Sequence, residues 1–150
     1  EIFILVDTSV EFTGSFLSRI EKLLLPDDVG VVGYAGLKTE TLLHFHDGEG
    51  ESGDVDAMQA YCFAFKRKSI TKVGLMRECF RFYRNLDIDF SFQFKEKGYR
   101  IIADNNLSIT LHTHRGWEDL PPTQRDELSR KNYGKFLKKW RNREDLLLSK

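Results

Sequence analysis

The stretch Ile2-Phe3-Ile4-Leu5-Val6 is an unbroken apolar run, and it stops abruptly at the polar triplet Asp7-Thr8-Ser9. A strand with one wet face would alternate polar and apolar residues. A continuous run suits a strand covered on both faces, as in a parallel sheet between helical layers. Phe16, Leu17, Ile20, Leu23 and Leu24 follow at helical spacing. With Ser15 placed to cap and Pro26-Asp27-Asp28 to stop, they predict a helix over 16–25. Val29 to Tyr34 reads as a second strand. Strand, helix and strand in that order predict a crossover unit of a layered α/β domain.

Further along, residues 44–54 form a polar, Gly-rich loop without core-forming periodicity, and 55–65 reads as a strand closed by Lys66-Arg67-Lys68. The segment 87–98 carries two signals. Phe90, Phe92 and Phe94 alternate as in a strand. Ile88/Phe92 and Phe90/Phe94 are also helical i,i+4 pairs, Asp87 can cap and Gly98 can terminate, and these favour a helix. Short strands are expected at 101–103 and 107–111, joined by Asp104-Asn105-Asn106. After the Pro121-Pro122 break, 123–141 reads as a basic amphipathic helix with Leu128, Phe136, Leu137 and Trp140 inward.

Several function classes drop out on composition. Lys plus Arg and Asp plus Glu each number 23, so the formal charge is zero, which argues against nucleic-acid binding and against a polybasic membrane anchor. No apolar run approaches the ~18 residues of a transmembrane helix. Residues 1–75 hold 7 basic and 12 acidic side chains (−5) and residues 76–150 hold 16 and 11 (+5), which suggests a pocket with one acidic and one basic wall. Cys62 and Cys79 have no CxxC or zinc spacing; two free thiols point to a reducing, cytoplasmic setting, with a peripheral membrane association left open. Because Glu1 leads straight into an apolar strand, the upstream part of the domain is expected to be missing, and a sheet edge left open in this way could pair with a second copy.

Four groups of residues can carry chemistry. Asp7 ends the first strand, where open α/β sheets collect ligands; with Glu11 it can hold a divalent cation or a ribose hydroxyl, or it can simply cap the turn. Asp87 and Asp89 open a helix, placed either for general-base work or to complement the helix dipole. His112 and His114 can ligate a metal and Arg115 can bind phosphate, although a strand end with a hydrogen-bonded histidine reads the same way. Arg125, Ser129 and Arg130 lie near the start of the basic helix, where a diphosphate can meet donors, while most of that face is expected to be solvated. His44 and His46, inside the polar loop, read as solvated.

Taken in order, these features resemble the C-terminal two-thirds of a family 2 glycosyltransferase with the GT-A fold. Asp7-Thr8-Ser9-Val10-Glu11 after an apolar strand is similar to the family's DxD-type motif, and Val29-Gly30-Val31-Val32-Gly33 to its following strand. Asp87-Ile88-Asp89-Phe90 with Lys97-Gly98-Tyr99 resembles the ED-x-x-L helix and its Gly-Tyr, with Leu86 where the family has its first acid. Leu111-His112 resembles the closing histidine. The resemblance implies a GT-A-like (Rossmann-like) mixed α/β sheet flanked by helices, with residues 1–117 as the C-terminal portion of a catalytic domain and 118–150 as a helical extension.

It further implies a sugar transferred from a nucleotide-activated donor to a hydroxyl of a glycan, lipid or protein, with inversion and Asp87 as base, Asp89 being the second catalytic carboxylate. Asp7 and Ser9, with Arg115, Arg125, Ser129 and Arg130, would bind the nucleotide sugar and its diphosphate. Asp7, Glu11, His112 and His114 would hold Mg²⁺ or Mn²⁺, since Ser9 stands where the family offers a metal-binding carboxylate. A non-catalytic module of the same fold, binding a glycan or a partner protein, is the alternative.

Overall fold

The computed structural model describes residues 1–48, 50, 52–81, 84–113 and 115–149, with Arg115 described through its backbone alone. In chain order the elements are β1 (Ile2–Val6), β2 (Val10–Phe12), α1 (Leu17–Leu23), β3 (Val29–Lys38), β4 (His46–Asp47), β5 (Gly53–Asp54), β6 (Ala57–Lys66), α2 (Arg67–Val73), α3 (Leu86–Glu96), β7 (Arg100–Ala103), β8 (Ile109–Leu111), α4 (Arg115–Glu118), α5 (Pro122–Trp140) and a 3₁₀ turn at Glu144–Leu146. The main sheet runs β1-β6-β3-β7-β5, with β4 added to β3, while β2 and β8 form a separate ribbon.

The sheet is mixed. β6 lies antiparallel to both β1 and β3, and β7 lies parallel to β3. β1 and β3 therefore point the same way, but they are not neighbours, and α1 crosses over an intervening antiparallel strand. β1 sits at the sheet edge rather than in a doubly covered interior, and Phe3, Leu5 and Val6 remain 41%, 42% and 42% exposed. Ile2 and Ile4 pack towards α1, and Phe3 leans on Phe65 at 5.8 Å between ring centroids. An apolar run specifies a strand; its place in the sheet depends on partners distant in sequence.

Other expectations shift for local reasons. α1 starts at Leu17, with Phe16 rather than Ser15 at the cap position and no side-chain cap bond. Phe16 stacks on Phe12 at 4.1 Å, so an aromatic contact anchors the helix start. The basic triplet after β6 opens α2, which ends at Gly74 with φ +88°. β7 and β8 belong to different sheets. The turn between them carries the buried Asp104, which pairs with Arg19 and accepts hydrogen bonds from Ser52 Oγ (3.2 Å) and Asn106 N (3.1 Å).

α3 resolves the ambiguous phenylalanines. Residues two apart on a helix are ~200° apart, so an alternating pattern can feed two opposite faces. Phe90 and Phe94 face the sheet, packing with Val31, Phe63, Phe65 and Ile101. Phe92 and Ile88 face Phe136 and Trp140. Every residue from Ile88 to Phe94 is buried, as expected of a helix between two layers. Each fully buried phenylalanine contributes roughly 1.5–3 kcal/mol. Asp56 then ties the layers together: it pairs with Lys95 Nζ (2.8 Å) and accepts the backbone N–H groups of Thr39 and Leu148 (both 2.9 Å). No described helix is long and apolar enough to cross a membrane.

Gly33 lets β3 and β6 approach. A Cβ at this position would stand 2.0 Å from the Cys62 carbonyl oxygen and 3.0 Å from Met58 Sδ. The first obstacle is backbone in the middle of the sheet, so it cannot swing aside. Gly33→Ala is expected to cost at least the ~1–3 kcal/mol of an overpacked core, read as a lower urea midpoint with an unchanged slope. An unchanged midpoint would show that the two strands can separate locally.

Candidate functional site

The site is assembled by three residues of β6, Gln59-Ala60-Tyr61, whose side chains carry no chemistry-bearing pattern. The Tyr61 carbonyl accepts the Asp7 backbone N–H at 3.0 Å, which fixes the turn at the end of β1. The adjacent Ala60 N–H donates to Asp87 Oδ2 at 3.1 Å. Two carboxylate residues 80 positions apart are thereby held by peptide groups of one strand with a single peptide between them. His112 joins through the β2–β8 ribbon, its backbone N–H donating to the Ser9 carbonyl at 2.8 Å. Asp7, Asp87 and His112 all line one pocket of about 470 Å³.

At the β1 end, Ser9 does not line the pocket. It is buried, and both its N–H (2.8 Å) and its Oγ–H (2.6 Å) donate to Asp7 Oδ1. Ser9 thus orients the Asp7 carboxylate, by the side-chain-to-backbone turn that Asp favours. Glu11 does not line the pocket; its Oε2 is 2.7 Å from His112 Nε2, both side chains being exposed. Among the described residues no three His, Cys, Asp or Glu side chains gather to enclose an ion. His114 and the Arg115 side chain lie outside the described residues.

At the α3 end, the two acids have opposite fates. Asp87 points into the pocket and accepts the N–H groups of Ala60 and of Ile88 (2.9 Å). Burial pushes its carboxyl above the usual carboxylate range, opposed by those two N–H donors and by the charge of Arg84. Asp89 is turned away from the pocket and is fully buried. It pairs with both Nε (2.8 Å) and Nη2 of Arg77, and it accepts Trp140 Nε1–H at 2.7 Å. Side chains at i and i+2 of a helix do not share a face, so the catalytic expectation for Asp89 meets a carboxylate committed to the interior. Asn85, not Asp87, occupies the cap position of α3.

The remaining lining came from segments without an obvious signal. Arg84 and Trp117 both line the pocket and meet there, the guanidinium 4.8 Å from the ring centroid. His44, exposed as expected, also lines the pocket, together with Phe45, Tyr61 and Tyr133. Acids from both halves of the chain, Asp7, Asp87 and Glu118, share the lining with Arg84, so the charge asymmetry of the halves does not divide the pocket into walls. Arg125, Ser129 and Arg130 are not brought to it. Of the described residues of α5 only Tyr133 lines the pocket.

With fold and pocket in view, similarity to known proteins can be placed. No protein-family model matches the sequence, and no curated protein matches it. Among solved structures, the chain superposes on GalNAc-T7, crystallised with UDP, GalNAc and Mn²⁺, at a TM-score of 0.72 and 14% identity. The superposition covers 96% of this chain and 33% of that one. The chain therefore spans about a third of the length of that protein. The fold is GT-A-like, a mixed α/β sheet flanked by helices, and the likeness does not single out family 2.

Proposed function

We propose that this GT-A-like domain transfers a sugar from a nucleotide-activated donor to an acceptor hydroxyl, with the chemistry in the pocket between β1, β6 and α3. The observation that carries this reading is the gathering of Asp7, Asp87 and His112 around one cavity, the first two held by Ala60 and Tyr61 of β6 and the third by Ser9. The motif order resembling family 2 and the fold shared with a protein crystallised with UDP, GalNAc and Mn²⁺ support it.

Asp87 supplies the base. Its carboxylate accepts the proton of the acceptor hydroxyl as that oxygen forms a bond to the anomeric carbon, and the bond to the diphosphate oxygen breaks on the opposite face. Configuration inverts in such a single displacement. A positioned base contributes typically ~10²–10⁴-fold. Asp7, held in one orientation by Ser9, faces the diphosphate side together with His112. A carboxylate and an imidazole are ordinary ligands of a divalent cation, with phosphate oxygens and water to complete its shell. Mg²⁺ or Mn²⁺ bound to Asp7 and His112, with Glu11 steadying the imidazole, would offset the charge growing on the leaving group.

The reading is tested by offering the chain a panel of UDP-sugars that includes UDP-GalNAc and measuring UDP release with Mn²⁺, with Mg²⁺ and with EDTA. Release above the buffer rate, greater with metal, is the expected result. Neither release nor calorimetric binding of any panel member would remove the donor assignment.

A further inference from the structure

Arg84 is the one arginine or lysine among the described residues that line the pocket. It is exposed, and an exposed arginine ordinarily keeps its long side chain free in water. Here both ends are held. Asn132 of α5, itself 1% exposed, donates from Nδ2 to the Arg84 carbonyl at 2.8 Å. The guanidinium lies 4.8 Å from the ring centroid of Trp117 on α4. An indole face attracts a guanidinium without neutralising it, whereas a carboxylate partner would cancel its charge. Two segments distant in sequence thus bring a full positive charge to the cavity.

Three residues further on stands Asp87, which lines the same cavity. The other described titratable groups there cannot serve as a fixed positive charge. Asp7 of the β1 turn and Glu118 of α4 are acids, which oppose a further negative charge nearby. His44 of the loop after β3 and His112 at the end of the ribbon gain charge only on protonation, and Tyr61 of β6 and Tyr133 of α5 have no positive form. Burial pushes the Asp87 carboxyl up, and the charge of Arg84 is among the influences that pull it back, behind the N–H groups of Ile88 and Ala60.

We propose that Arg84 is a positioning residue for the transfer reaction, its guanidinium seated on Trp117 so that its charge favours the ionised, proton-accepting form of Asp87. The proposal rests on the reading of Asp87 as base, and it adds the device that keeps this base usable. Because the guanidinium is exposed, water and dissolved ions screen it, so the effect is modest and weakens as salt rises.

Carbon-13 NMR of the whole chain with EDTA present follows the Asp87 carboxyl, its signal identified by its loss in Asp87→Asn. In Arg84→Gln this carboxyl is expected to titrate at higher pH than in the parent chain. The acid limb of the pH–rate profile moves the same way, so the rate on that limb falls about threefold while rates on the plateau converge. Trp117→Leu should also move the titration upward, and should add nothing in the Arg84→Gln background, since the ring acts through the guanidinium. Arg84→Lys keeps the charge and should lie closer to the parent than Arg84→Gln does. Arg141→Gln, exposed just after α5, should match the parent. Salt at about 1 M should narrow the gap between Arg84→Gln and the parent. An Asp87 titration unmoved or lowered in Arg84→Gln, a Trp117→Leu shift undiminished without Arg84, or an Arg84→Gln chain that fails to fold would each overturn the proposal.

The titration needs no turnover, so this proposal and the assignment of the base fail separately. An Asp87 titration that moves while the acid limb stays removes the base and leaves the electrostatic contact. Transfer lost in Asp87→Asn, with neither titration nor limb moved by Arg84→Gln, keeps the base and removes the role of Arg84.

Discussion

Asp87→Asn is expected to lower sugar transfer by ~10²–10⁴-fold while the chain stays folded. Asparagine keeps the shape of the side chain and an acceptor oxygen for one of the two N–H groups, Ala60 on Oδ2 or Ile88 on Oδ1, but it cannot take a proton from the acceptor hydroxyl. The comparison is made as single-turnover rates at saturating donor, alongside a thermal melt of both chains. A variant that retains the parent rate would show that another group removes the proton.

The pH dependence follows from the same carboxyl. Burial holds it above the ordinary carboxylate range, and the base works only when ionised, so the acid limb of the pH–rate profile should lie above that range. For stability the sign is opposite to that of an ion-paired acid. Between the ordinary value and the raised one, the folded chain holds a proton that the unfolded chain has lost, so stability falls as pH rises through this window. Below the ordinary value both states are protonated and the penalty is absent. Asp87→Asn should flatten this slope, which urea titrations across the window would detect. Burial of this carboxyl thus lowers stability across that window.

Asp89→Ala is expected to cost ~3–5 kcal/mol, the range for breaking a buried ion pair from one side. The carboxylate is fully buried, bonded to two nitrogens of Arg77 and to the indole N–H of Trp140, and its removal leaves these donors without an acceptor. Since whole domains are stable by only ~5–15 kcal/mol, a large drop in the urea midpoint should follow. The double variant Asp89→Leu with Arg77→Met removes both charges and should recover part of the loss, as hydrophobic replacement of a buried pair often does. A midpoint unmoved by Asp89→Ala would mean that α3 and α5 are held together without this junction.

These two acids show where reading the sequence reached its limit. The pattern that marks α3 is local and strong: i,i+4 aromatic pairs, glycine at the end, and apolar residues on two sides. It located the helix, and it placed Asp87 at its start. Helical geometry alone puts Asp87 and Asp89 on different faces, yet it does not say which face meets a cavity. That depended on β6 passing beside Asp87 and on Trp140, 51 residues later, reaching Asp89. The lining residues Arg84, His44 and Trp117 were illegible for a related reason, since each sits in a segment whose course is set by packing rather than by periodicity.

Residue periodicity and turn chemistry by themselves determined the main strands, the long helices, and the position of a carboxylate at the end of β1. Strand order, the antiparallel insertion of β6, the edge position of β1 and the meeting of Asp7 with Asp87 were decided only by the tertiary structure. The physical reason is range. Backbone sterics and side-chain spacing act over a few residues and are written consecutively. Which carbonyl receives which N–H across a sheet is settled by the burial of the whole chain at once.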